Sequence, residues 1–237
     1  MRHFRRPLDY QRKSDASPVT LADQGIERRL RERIAARFPD HGLLGEEFAP
    51  VPGERFTWVI DPIDGTKSFI TGMPLFGTLL ALHDAEAGRP VWGVIDMPAL
   101  GERWQGDGRA AWFDGQSARV SDCRDLTQAQ ICCTSPDFFG AADWAAWQRL
   151  SGQAAYRRFG GDCYLYGMLA SGWIDLVAEV SLQPFDFLAL VPVIEGAGGV
   201  ISDWEGAPLG MDSDGRVLAA ATPDLHDQAL AALRGEQ

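Results

Sequence analysis

Two carboxylates, Asp61 and Asp64, stand three residues apart in Asp61-Pro-Ile-Asp-Gly-Thr66, directly after the apolar run Trp58-Val-Ile60. Pro62 removes a backbone donor and stiffens the turn, while Gly65 lets the main chain approach a ligand closely. Thr66 opens Lys67-Ser-Phe-Ile70, a segment able to begin a helix, and the first N–H groups of a helix attract anions such as phosphate. Carboxylates beside such an anion repel it unless cations lie between them. The hexapeptide therefore calls for a divalent metal bridging protein and phosphate. Hard oxygen donors with no neighbouring His or Cys favour Mg²⁺ over zinc. Turn capping, the plainer role for these aspartates, suits a single Asp-Pro but not the whole hexapeptide after a buried strand.

Three further carboxylates qualify on weaker grounds. Glu46, in Gly45-Glu-Glu47, lies upstream at the expected end of a neighbouring strand, although such a tripeptide alone reads as surface. Asp186, in Pro184-Phe-Asp-Phe-Leu188, sits between aromatics at the start of an apolar helix, where burial demands pairing, coordination or a capping role. Asp23 suits the third position of a helix capped by Thr20. His3, His41, His83 and His226 are scattered without ligand spacing, and no Gly-x-Ser-x-Gly elbow supplies a nucleophile.

These residues need elements to hold them. Residues 20–38 read as a helix with Leu30, Ile34 and Phe38 on one face, stopped by Pro39-Asp-His-Gly42. Residues 58–60 read as a short strand ending at Asp61-Pro62. Runs at 76–82, 91–95, 103–105 and 110–113, separated by Gly- and Pro-bearing turns, suggest an antiparallel meander. Trp92, Trp104 and Trp112 fall in that meander as core or dimer contacts. Beyond residue 125 the pattern alternates: strand 131–134, helix 144–150, helix 164–171, strand 176–180, helix 186–195 closed by Gly196-Ala-Gly-Gly199, then strand 200–202. Sheets covered by helices follow from this order. Two halves, 1–125 and 126–237, are expected to share one cleft.

Thirty-three acidic residues against 22 basic give a net charge of −11, which argues against a reader of nucleic-acid backbones. No run is long and apolar enough for a membrane-spanning helix, and the basic N-terminus lacks the apolar core of a signal peptide. Cys123, Cys132, Cys133 and Cys163 form no C-x-x-C pair and read as reduced residues of a cytoplasmic protein, with Cys132 and Cys133 on opposite faces of a strand.

Taken together, Gly45-Glu-Glu47, the hexapeptide, and a late aromatic-Asp followed by Glu195-Gly-Ala-Gly-Gly199 resemble the inositol-monophosphatase-like family from about Lys13 onward. Three stretches are most similar to its histidinol-phosphatase branch: Pro74-Leu-Phe-Gly-Thr-Leu-Leu-Ala-Leu82, residues 93–104, and Gly160-Gly-Asp-Cys-Tyr-Leu-Tyr-Gly167. The resemblance implies an α/β (α+β layered) αβαβα sandwich, shared with fructose bisphosphatase, and a Mg²⁺-dependent, lithium-sensitive phosphomonoesterase using two or three ions. It implies that Glu46, Asp61, Asp64, Asp186 and the Ile63 carbonyl ligate Mg²⁺, and that Gly65 and Thr66 hold phosphate through their N–H groups. Asp23 would pair with the Thr66 hydroxyl and, with Glu46, orient the attacking water.

The leaving group would meet Asp162, Glu179 and Asp186. Histidinol phosphate carries an ammonium and an imidazole, which suit acidic partners better than a neutral polyol does. Glu179 also serves inositol binders in the family, so Asp162 discriminates more sharply, unless it merely caps the helix after it. Arg158 would face the phosphate or a partner subunit. The resemblance also implies a homodimer acting on a small phosphate ester. It leads one to expect a full helix ahead of Lys13, most of which this chain does not carry.

Overall fold

The computed structural model describes residues 3–5, 11–12, 18–19 and 21–236, with backbone alone for 11–12 and 18–19. Near the N-terminus, β1 (Gln11–Arg12) pairs with β2 (Pro18–Val19). Helix α1 (Leu21–Arg37) follows, one residue inside each expected end. Thr20, the expected cap, and Lys13 lie outside the described residues.

A seven-stranded sheet comes next. It contains β3 (Gly42–Gly45), β4 (Phe56–Asp64), β5 (Gly77–Asp84), β6 (Arg89–Met97), β7 (Glu102–Gly106), β8 (Ala111–Phe113) and β9 (Gln116–Ser117), in sequential order. The pair β3–β4 is parallel and the rest is an antiparallel meander. Helix α2 (Thr66–Thr71) interrupts it after β4. Contrary to expectation, β4 does not stop at Asp61. Asp61 pairs with Leu79 and Asp64 with Gly77, so the ladder slips between them. Pro62 has no N–H to continue the ladder, and its carbonyl instead accepts from the Thr78 hydroxyl at 2.8 Å.

The second half contributes β10 (Gln130–Cys133), α3 (Ala141–Ser151), β11 (Tyr156–Phe159), α4 (Tyr164–Ala170), β12 (Leu176–Glu179), α5 (Pro184–Phe187), α6 (Leu190–Gly196), β13 (Val200–Ser202), β14 (Val217–Ala220) and α7 (Pro223–Arg234). Its sheet runs β11-β10-β12-β14-β13. The helix expected over 186–195 is two helices, α5 and α6. Pro192 lacks the N–H that would reach back to Leu188, so the turn between them cannot close. Elements β11, β14 and α7 were not anticipated. The Thr222-Pro223 start of α7 is a capping signal, since the Thr222 hydroxyl accepts from the Leu225 N–H.

Alternation along the strands sorts the core into layers. Leu30 and Ile34 of α1 meet Leu43, Trp58, Ile60 and Leu80 on one face of the large sheet. Its other face, with Leu79, Ile95, Met97 and Trp104, packs on α4 and α6 and through them on Cys132, Val177 and Ala219 of the second sheet. Cys133, Leu176 and Leu218 look the opposite way, onto Trp147 of α3 and Leu225 of α7. Cys132 and Cys133 do face apart, and all four cysteines are free thiols. Trp104 is fully buried at the heart of the middle layer. The result is helix, sheet, helix, sheet, helix: the expected αβαβα stack.

Candidate active site

At the slipped end of β4 the chain turns through Gly65 in the left-handed region, φ 82°, before α2 begins. A Cβ there would stand 3.0 Å from both Asp162 and the Leu75 carbonyl, so glycine is required by conformation and by space. This turn leaves Asp61 buried and Asp64 partly buried. The short helix α5 brings Asp186 to the same point from the second half, where Asp186 Oδ2 accepts from the Gln183 N–H at 2.7 Å. One carboxylate oxygen from each of Asp61, Asp64 and Asp186 lies within 4.8 Å of the other two. Asp61 and Asp186, 125 positions apart in the chain, thus converge.

Electrostatics fits the cluster to a cation. Burial, then Asp64, Asp186 and Glu46, push the Asp61 carboxyl well above its usual range. Asp64 is raised by burial and then by Asp162 and Asp186. Burial, reinforced by Glu46 and Glu179, lifts Asp186 to about 7 despite the Gln183 N–H. Asp61 Oδ1 is buried with no hydrogen-bond partner among the described residues. Burial of several carboxylates with an unmet acceptor is costly unless a positive ion joins them. Hard oxygen donors at this spacing suit Mg²⁺.

The cluster opens into a cleft of about 510 Å³ lined by Glu46, Gly65, Thr66 and Lys67 from the first half and by Thr134, Phe138, Asp162, Tyr166 and Glu179 from the second. Glu46 follows β3, its N–H donating to the Ile60 carbonyl at 3.3 Å. It lines the cleft outside the tight carboxylate trio. Lys67, the one cation among the described lining residues, holds its ammonium 4.8 Å from the Phe138 ring centroid. Glu179 is buried and fixed, accepting from the Thr134 N–H at 2.7 Å and the Tyr166 hydroxyl at 3.0 Å. Asp162 accepts from the Ser68 hydroxyl at 2.8 Å and adopts a positive φ of 49°. It does not cap α4, whose cap residue is Cys163 and carries no side-chain cap bond.

Asp23 is buried in the first turn of α1. The Thr66 hydroxyl donates to the Ile63 carbonyl at 3.1 Å rather than to Asp23. That single proton therefore does not go to Asp23, where the resemblance placed it. Arg158 lies exposed on β11. Burial first, then Asp64, drives the Cys163 thiol far up, which leaves it no thiolate character as a nucleophile. Two residues escaped sequence reasoning: Glu27 and Arg31, whose ion pair at 2.7 Å braces the loop carrying Glu46. The signal was present in the four-residue spacing Asp23, Glu27, Arg31 on a helix whose neighbouring face is apolar.

Comparison with known proteins fits this geometry. The chain matches the model of the inositol monophosphatase family over residues 1–237. A chloroplastic bifunctional phosphatase of Arabidopsis thaliana is 44% identical over 98% of this chain and 70% of its own. A histidinol-phosphatase of Chlorobaculum parvum is 38% identical over 91% of this chain and 83% of its own. Among solved structures, an inositol monophosphatase from Zymomonas mobilis superposes with a TM-score of 0.89 at 41% identity, covering 98% of this chain and 90% of that one.

Proposed function

We propose that this chain, which belongs to the inositol monophosphatase family and is a phosphoric monoester hydrolase, is a Mg²⁺-dependent histidinol-phosphatase. In this reading it releases phosphate from L-histidinol phosphate, with histidine biosynthesis the context its histidinol-phosphatase relatives suggest. One observation carries the assignment: Asp162, packed against the Gly65 turn, and Glu179 put two acidic groups on the cleft wall. That wall suits a cationic leaving group bound by charge-assisted hydrogen bonds.

Asp61, Asp64, Asp186, Glu46 and the Ile63 carbonyl are the groups that would hold Mg²⁺. Bound there, it supplies Lewis acidity toward the phosphoryl oxygens and lowers the pKa of water. The protein's own residues do the rest. The Gly65 and Thr66 N–H groups orient the phosphate, and the Thr66 hydroxyl, which donates its hydrogen bond to the Ile63 carbonyl, accepts from the attacking water. Glu46 receives the proton that this water loses, with Asp23 supporting the α1 side. Glu179, locked by Thr134 and Tyr166, and Asp162 grip the alcohol portion so that its P–O bond breaks in line, the leaving oxygen taking a proton from solvent water. Inhibition by Li⁺, more than one bound Mg²⁺ and a homodimer belong to the same reading.

The test compares phosphate release from L-histidinol phosphate and inositol-1-phosphate, each with Mg²⁺ and with EDTA. Chelator-sensitive preference for the first ester supports the proposal. Preference for inositol-1-phosphate, the second reading favoured by the likeness to the Zymomonas enzyme, keeps the chemistry and overturns the substrate. Asp162→Asn, which keeps the positive-φ backbone, is expected to lower catalytic efficiency on histidinol phosphate about tenfold and to spare inositol-1-phosphate. Equal losses on both esters would remove Asp162 from the specificity argument.

A further inference from the structure

The buried carboxylate of Glu27 is fully enclosed, yet it belongs to no part of the cleft wall. Among the described residues it bonds both to the segment that leaves β3 and to Arg31 of its own helix. Oε2 accepts from the Glu47 N–H at 2.8 Å, and Oε1 accepts from Arg31 Nε at 2.7 Å. Arg31 also donates to the same loop, reaching the Phe48 carbonyl at 2.9 Å and the Ala49 carbonyl at 3.0 Å. Its guanidinium also lies 5.8 Å from the Phe48 ring centroid. Gly45 completes the seat: a Cβ there would stand 2.0 Å from Glu27 Oε1. On the other side of Glu46, its own N–H is tied to the Ile60 carbonyl of β4, one residue before Asp61.

A buried ion pair is a weak source of net stability, because desolvation offsets most of the attraction. Its value lies in geometry. Here three hydrogen bonds from one turn of α1 reach Glu47, Phe48 and Ala49, and Gly45 packs against the same carboxylate, so the residue they bracket is Glu46. We propose that Glu27, with Arg31, is a positioning pair that fixes Glu46 beside the Asp61–Asp64–Asp186 cluster and thereby sets the affinity of the site for Mg²⁺. The inference rests on the metal reading of that cluster. It adds to the reading a residue that never touches metal or substrate.

Mg²⁺ alone is titrated calorimetrically into the metal-free full-length chain and into Glu27→Gln, Gly45→Ala and Asp84→Asn, with thermal melts of each metal-free protein. Glu27→Gln keeps the shape and weakens the ion pair. Gly45→Ala displaces the same carboxylate from the opposite side, so it tests the clamp even if the first variant folds poorly. Asp84→Asn breaks the ion pair of Arg55 and Asp84 far from the cleft and controls for general destabilisation. The expected result is Mg²⁺ affinity about tenfold weaker in Glu27→Gln and Gly45→Ala and unchanged in Asp84→Asn. Unchanged affinity in both clamp variants, whatever their melting temperatures, overturns the inference alone. Equal weakening in Asp84→Asn assigns the effect to lost stability and overturns it too. If the unmutated chain binds no Mg²⁺, the metal reading falls and this inference falls with it.

Discussion

At the scale of single residues, the site is built from groups that are unfavourable where they stand. Asp61 is buried, its carboxyl pushed up by burial and by three neighbouring acids, and one of its oxygens has no partner among the described residues. Neutralising it should therefore relieve the metal-free protein while ruining the metal site. Asp61→Asn is expected to leave the metal-free melting temperature unchanged or higher, to weaken Mg²⁺ binding at least about tenfold, and to slow phosphate release by on the order of a hundredfold or more. Calorimetry, thermal melts and a phosphate assay read the three effects separately. A lower melting temperature with intact Mg²⁺ binding would mean that Asp61 serves the fold and not the ion.

At the scale of elements, glycines decide how closely the middle helices approach the sheet. A Cβ at Gly93 on β6 would stand 2.1 Å from the Ala189 carbonyl, and one at Gly106 on β7 would stand 2.3 Å from the Pro192 carbonyl. Both meet the α5–α6 segment, which carries Asp186. Gly93→Ala is expected to destabilise the protein by about 1–3 kcal/mol through overpacking, measured by urea unfolding. Because the displaced segment bears Asp186, one of the proposed ligands, Mg²⁺ affinity should fall as well. The far end of the same sheet offers a contrast. Arg55, paired with Asp84 at 2.6 Å, holds the Asp84 carboxyl down at about 2. A depressed carboxylate stabilises the fold above its unfolded value of 3.8 and loses that contribution as pH falls toward about 2. Asp84→Asn should thus melt lower than the unmutated chain at neutral pH, and the gap should close through that acid window.

At the scale of the whole molecule, neither half owns the cleft or the largest core. Leu79, Ile95 and Trp104 of the first half pack in one cluster with Leu165, Phe187 and Val217 of the second. Across the cleft the Cys163 N–H donates to Asp64 at 2.6 Å, and Ser68 donates to Asp162. Cooperative unfolding follows from a shared core. Denaturation followed by tryptophan fluorescence and by circular dichroism should give coincident single transitions. Two separated transitions would show that the halves hold their structure independently.

The sequence alone determined the chemistry and much of the architecture. The hexapeptide announced a carboxylate cluster because its residue types have few other uses together, and the meander announced itself because β-alternation and turns are local signals. It was also enough to part Cys132 from Cys133, since strand geometry fixes which way successive side chains point. What followed from long-range packing was not legible. The slip in β4 depends on Pro62 meeting Thr78, and the break between α5 and α6 depends on Pro192 inside an apolar run that otherwise reads as one helix. The Thr66 hydroxyl found the Ile63 carbonyl three residues back instead of Asp23 on a distant helix. Glu27 looked like an ordinary helical glutamate until tertiary structure buried it beneath the Glu46 loop. Residue type sets what a group can do; only the fold sets what surrounds it, and burial and partners decide which of those capacities is used.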